Sequence, residues 1–112
     1  MYQIVKFVFP FADDFDKGKP RPSLIISPSF GKHNHIILAY ITTDYKDLLE
    51  TDLLLDPSQS YFSATGLHIK SAVKLHRLIT VTASQIGESI GVLPDAIVPE
   101  VKKKLLKVFQ LR

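Results

Sequence analysis

Short apolar runs broken by prolines, glycines and acidic residues dominate the chain, and only its last stretch departs from this pattern. Ile4–Phe9 reads Ile-Val-Lys-Phe-Val-Phe, a β-branched and aromatic run stopped by Pro10. Residues 10–20 carry loop chemistry, with two prolines, a glycine and five charges. Leu24–Ser27 is a second predicted strand, entered through Arg21-Pro22 and closed by Pro28, and Gly31–Asn34 is a turn. His35–Thr43 is a third, long and mostly apolar strand, which predicts a central place in a sheet. Asp44–Glu50 is a loop or a short helical turn, Thr51–Leu55 a short strand before Asp56-Pro57, and Ser58–Gly66 polar and turn-like. Ser71–Thr82 alternates, with Val73, Leu75 and Arg77 expected on one face and Lys74, His76 and Leu78 on the other. Ile90–Leu93 is one more short strand. From there the period changes: Ile97, Val98, Val101, Leu105, Val108 and Phe109 recur at helical spacing, with Lys102, Lys103, Lys104 and Lys107 mostly opposite. Asp95 is the expected N-cap and Pro99 falls in the first turn, where its missing N–H costs little. Several short strands followed by one terminal helix predict a mainly β (α+β) fold, a small barrel with a C-terminal α-helix.

The 112 residues suit a single domain spanning 1–112, able to bury one core without staples. There is no cysteine, which removes disulfide scaffolds, Cys-ligated zinc, iron–sulfur clusters and thiol catalysis. The longest strongly apolar stretch, Ile36–Ile41, is far short of the ~20 residues a membrane-spanning helix needs. The opening Met-Tyr-Gln-Ile-Val-Lys lacks a charged segment followed by an apolar one, so no signal peptide, no membrane partner and a cytoplasmic location are expected. The net charge of +3 hides an asymmetry. Residues 1–60 carry six Lys/Arg against eight Asp/Glu, and residues 61–112 carry eight against three. Opposite signs in the two halves point to a basic face for a polyanion or to attraction between chains. The four helix lysines are read as a solvated face.

Three segments could carry chemistry. His33-Asn34-His35 puts two imidazoles on one side of a strand, but a zinc site needs three or four ligands, so a polar turn leading into a strand is the better reading and no metal or other cofactor is expected. Lys17-Gly18-Lys19-Pro20-Arg21-Pro22 places three cations together and restricts the backbone of Arg21 from both sides. A pre-positioned guanidinium suits bidentate phosphate recognition, although Arg21 could equally pair with Asp13, Asp14 or Asp16. Ile41-Thr42-Thr43-Asp44 ends the third strand with hydroxyls that can bind a phosphate oxygen or satisfy a turn.

Phe9-Pro10-Phe11, Arg21-Pro22-Ser23-Leu24-Ile25-Ile26-Ser27, Ala39-Tyr40-Ile41-Thr42-Thr43, Gly66-Leu67, Ser71-Ala72-Val73-Lys74-Leu75 and the closing amphipathic helix occur in a familiar order. Over nearly its whole length the chain resembles the MazF/PemK-like toxins of type II toxin–antitoxin pairs. The resemblance implies an SH3-like β-barrel with a C-terminal helix, usually a homodimer. It also implies a metal-independent endoribonuclease acting on single-stranded RNA such as mRNA, held in check by a cognate antitoxin protein. The family's active-site Arg and Thr correspond to Arg21 and Thr42. A basic residue and an acidic residue two positions on, found in some members, fall on Lys74 and His76.

Cleavage of RNA without a metal uses the 2′-OH as nucleophile, and needs a group to remove its proton, a stabiliser of the phosphorane and a proton for the leaving oxygen. Arg21 suits the phosphorane, Thr42 can hold a phosphate oxygen, and His76 can titrate near neutral pH, which makes Arg21, Thr42 and His76 the expected catalytic set. Lys17, Lys19, Thr43 and Lys74 are the expected RNA-binding residues. Two other readings remain open: a CcdB-like barrel toxin acting on a protein such as gyrase, and a degenerate relative that binds RNA without cutting it.

Overall fold

The computed structural model describes residues 1–10 and 18–111. Its elements in chain order are β1 (Gln3–Phe7), β2 (Arg21–Ile25), β3 (His35–Thr42), β4 (Asp52–Leu55), a 3-10 turn (Phe62–Thr65), β5 (Ser71–Thr82), a second 3-10 turn (Ala83–Gln85), β6 (Ser89–Val92) and α1 (Val98–Val108). The six strands form one curled antiparallel sheet in the order β4-β5-β3-β2-β1-β6. The apolar β3 is interior, as its composition predicts. This is the small mainly-β fold with a C-terminal helix expected from the sequence.

Both faces of the sheet carry apolar clusters. One cluster gathers Ile4, Leu24, Ala39, Ile41, Leu53, Leu55, Val73 and Leu75, with Val101, Leu105 and Val108 of α1 packed on it. The other joins Val5, Phe7, Phe9, Ile25, Leu38, Tyr40 and Val81. Within it Phe9 meets Phe7 and Tyr40 edge-on, each at 5.0 Å between ring centroids. Such pairs contribute about 0.5–1.5 kcal/mol each beyond burial. Phe9 therefore belongs to the core although β1 ends two residues before it.

The strict alternation expected along β5 fails at its middle. Lys74 pairs with Tyr40, but Leu78 pairs with Ala39, so β5 advances four residues while β3 advances one. The bulge re-aims the side chains beyond it. Leu78 packs on the same cluster as Val73 and Leu75, and Arg77 lies over the Tyr40 ring, 4.6 Å from its centroid, not beside Val73 and Leu75.

β2 begins earlier than predicted. Arg21 and Pro22 are inside the strand, paired with Phe7 and Lys6. It also ends earlier, and the hydroxyl of Ser27 takes over the pairing by accepting the Ile37 N–H at 2.8 Å. The Gly31–Asn34 turn is present, closed by the Asn34 N–H on the Gly31 carbonyl, with both residues at positive φ. At the helix start Asp95 is not the N-cap. Pro94–Ile97 forms a turn of its own, Ile97 takes the cap position without a side-chain bond, and Pro99 sits in the first turn. Phe109 is exposed rather than part of the buried stripe. Two of the four helix lysines are not merely solvated: Lys104 donates to the Glu50 carbonyl at 2.9 Å, and Lys107 hydrogen-bonds the Glu50 carboxylate. No helix among the described residues is long and apolar enough to cross a membrane.

Candidate nucleic-acid interface and active site

Backbone pairing alone brings the candidate residues together. Asp52 pairs with Lys74, Lys74 with Tyr40, Tyr40 with Ser23 and Ser23 with Val5, one rung across five strands. Paired residues on antiparallel strands project from the same face. Two residues further along the same register stand Arg21, Thr42 and Ala72, on that same face. With strands ~4.8 Å apart and a rise of ~3.4 Å per residue, the Cα atoms of Arg21 and Lys74 are roughly 12 Å apart.

At the β4–β5 end of this rung sits an ion pair that sequence reasoning missed. The Asp52 side chain is fully buried. Its Oδ2 accepts from Lys74 Nζ at 2.7 Å and from the Leu49 N–H at 2.8 Å. Its Oδ1 is buried without a hydrogen-bond partner among the described residues, and His76 Nδ1 faces it at 3.8 Å. Lys74 is largely covered while His76 remains more than a third exposed. Removing one member of a buried pair costs about 3–5 kcal/mol because the other is left uncompensated. In the sequence Asp52 is one acid opening a short apolar strand; only its pairing with a residue 22 positions away gives it meaning.

The other end of the face meets a cleft of about 660 Å³, lined by Arg21, Thr43, Lys6, His68, Ser71 and Glu88 among others. Lys6 of β1 and Glu88, the residue before β6, make an ion pair, 3.1 Å. The cleft depends on two glycines that let the first 3-10 turn lie against β6. A Cβ on Gly66 would stand 1.9 Å from the Ile90 carbonyl oxygen, and one on Gly91 2.2 Å from that of Thr65. Sequence reasoning also missed Lys6 and His68; Lys6 breaks an apolar strand, which is a weak signal, and nothing local marks His68.

The other candidates are more dispersed. Thr42 Oγ1 accepts the Asp44 N–H at 3.1 Å, so the hydroxyl closes a turn, yet its own hydrogen stays available to donate. Thr43 is exposed at the cleft, and Lys19 is exposed just before β2. Lys17 lies outside the described residues. His33 and His35 have ring centroids 6.1 Å apart, and no group of three or more His, Asp or Glu among the described residues is placed to hold a metal ion.

Solved structures with this fold include the Mycobacterium tuberculosis toxin MazF-mt6, at TM-score 0.74 and 23% identity over 98% of both chains. A mycobacterial endoribonuclease in complex with its cognate antitoxin superposes at TM-score 0.71 and 16% identity, covering 99% of this chain and 94% of that one. An endoribonuclease from mycobacterial species gives 0.67 at 16% identity, over 98% and 89%. At these identities the likeness speaks for the fold. No curated protein matches the chain significantly. The sequence pattern of one family, however, runs through residues 2–109, and the chain belongs to the PemK-like, MazF-like toxins of type II toxin–antitoxin systems.

Proposed function

We propose that this toxin is a metal-independent endoribonuclease that cleaves single-stranded RNA. The observation that carries the reading is one face of the sheet on which Arg21, Thr42, Lys74 and the His76–Asp52 pair succeed one another across the β2–β3–β5–β4 ladder, around the buried Ser23 and Tyr40. Family membership and the structural neighbours named as endoribonucleases support it. In the reaction the 2′-oxygen attacks the adjacent phosphorus, the bond from phosphorus to the 5′-oxygen breaks, and the products end in a 2′,3′-cyclic phosphate and a 5′-OH. His76 takes the 2′-OH proton, Arg21 bears the charge gathering on the phosphorane, and Thr42 donates to a phosphate oxygen. A proton reaches the leaving 5′-oxygen from Arg21 or from solvent. Lys19, Lys17 and Thr43 hold the RNA strand, and Lys74, paired with Asp52, adds positive charge beneath it. The 2′-OH requirement makes DNA inert.

The cognate antitoxin is expected to cover this basic face, and the toxin to act as a homodimer. Incubating purified, antitoxin-free protein with single-stranded RNA tests the reading. Cleavage should be lost when the nucleotide at the scissile position is 2′-deoxy and in Arg21→Ala. Binding without product would favour the non-catalytic alternative, and inhibition of gyrase supercoiling with intact RNA would favour a protein target.

A further inference from the structure

We propose that Asp52 is a positioning residue of this site: it fixes His76 as the tautomer protonated on Nδ1 and so presents Nε2 to the RNA as the proton acceptor. This rests on the ribonuclease reading for its catalytic consequence, but not for the tautomer itself. The two oxygens of the Asp52 carboxylate have separate surroundings. Oδ2 is held by Lys74 Nζ and the Leu49 N–H. Oδ1 is equally buried, has no hydrogen-bond donor among the described residues, and faces His76 Nδ1 at 3.8 Å. That distance is longer than a hydrogen bond, and a small ring movement closes it. A buried acceptor left unmade is costly, which drives the closure, and catalytic hydrogen bonds commonly tighten only when substrate arrives. A proton on Nδ1 satisfies Oδ1. A proton on Nε2 would instead set two lone pairs against each other.

Among the described residues, Lys74 and Arg77 of the same strand and the Tyr40 phenol of β3, paired with Lys74, lie nearby. Lys74 is already committed to Oδ2, and Arg77 lies over the Tyr40 ring. Among the described residues, Asp52 is the carboxylate that faces the imidazole. The logic is that of a buried carboxylate setting the tautomer of a catalytic histidine.

Asp52→Asn is the informative change. Its amide oxygen can keep Lys74 while its NH2 turns toward His76, which favours the tautomer protonated on Nε2. Nitrogen-15 NMR of the neutral imidazoles at alkaline pH reads this directly. The wild-type protein should show His76 protonated on Nδ1, and Asp52→Asn should shift it to Nε2. A wild-type His76 protonated mainly on Nε2 overturns the proposal, and this measurement needs neither activity nor a stable variant. In the cleavage assay Asp52→Asn should lower kcat about tenfold or more with KM nearly unchanged. Combined with His76→Gln it should add no further loss. Full kcat in a folded Asp52→Asn protein, or losses that simply add, would overturn the proposal. Absence of cleavage by the wild type would instead sink the ribonuclease reading and leave the tautomer result standing.

Discussion

At the scale of single residues, the two ends of the candidate face make different demands. Arg21 sits within a strand with Pro22 behind it, so its backbone is fixed by the ladder before RNA arrives. Arg21→Lys keeps the charge but loses the planar fork, and should leave RNA binding nearly intact while cleavage falls at least tenfold, about 1.4 kcal/mol of barrier. Thr42 Oγ1 accepts the Asp44 N–H, and its proposed second task is to donate to the phosphate. Thr42→Val should cost about 1 kcal/mol of stability and also reduce cleavage, and Thr42→Ser should restore both; thermal melts and turnover separate the two effects. Arg21 and Thr42 are marked as candidates in the sequence by local signals, Pro22 and the close of a long apolar strand, and by the family resemblance. Asp52 is not, because its partners Lys74 and His76 are remote in sequence and meet it only through strand pairing.

Among the elements, β5 shows where pattern reading stops. Its ends at Ser71 and Thr82 are legible in the sequence, yet the bulge opposite Ala39 and Tyr40 reverses the faces beyond Leu75. Alternation assumes an even ladder, and no residue in Leu75-His76-Arg77 advertises the extra length. The packing of the first 3-10 turn on β6 is similarly silent in sequence. Gly91→Ala would drive a methyl group into the Thr65 carbonyl. It should destabilise the protein by about 1–3 kcal/mol, seen as a lower midpoint in urea, and widen the cleft that Arg21 lines. The helix is tied to the β3–β4 loop through Glu50, whose carboxyl lies below its ordinary range, first because Lys107 hydrogen-bonds it and then through the charges of Lys107 and Lys104. A carboxyl lowered in the folded state stabilises above its unfolded pKa, and the gain disappears as pH falls through the folded value. Glu50→Gln should therefore lower the melting temperature slightly at neutral pH, with the difference from wild type vanishing in acid and shrinking in high salt. The contact is fully exposed, so the effect is small.

For the whole molecule, the modest net charge of +3 resolves into a directed arrangement. The basic second half supplies Lys74, His76 and Arg77 through one bulged strand, and β2 contributes Arg21 to the same face from the acidic first half. Affinity for single-stranded RNA should fall steeply with salt, and Lys19→Ala should reduce the slope of log K against log salt by about 0.7, the loss of one phosphate contact. On the proposed reading, this face cuts RNA through the RNA's own 2′-OH. End-group analysis of single-stranded RNA incubated with the purified wild-type protein in excess EDTA reads that chemistry from the products. Fragments ending in 2′,3′-cyclic phosphate and beginning with 5′-OH, absent with Arg21→Ala, are the predicted result; intact RNA, or fragments bearing a 5′-phosphate, would contradict it.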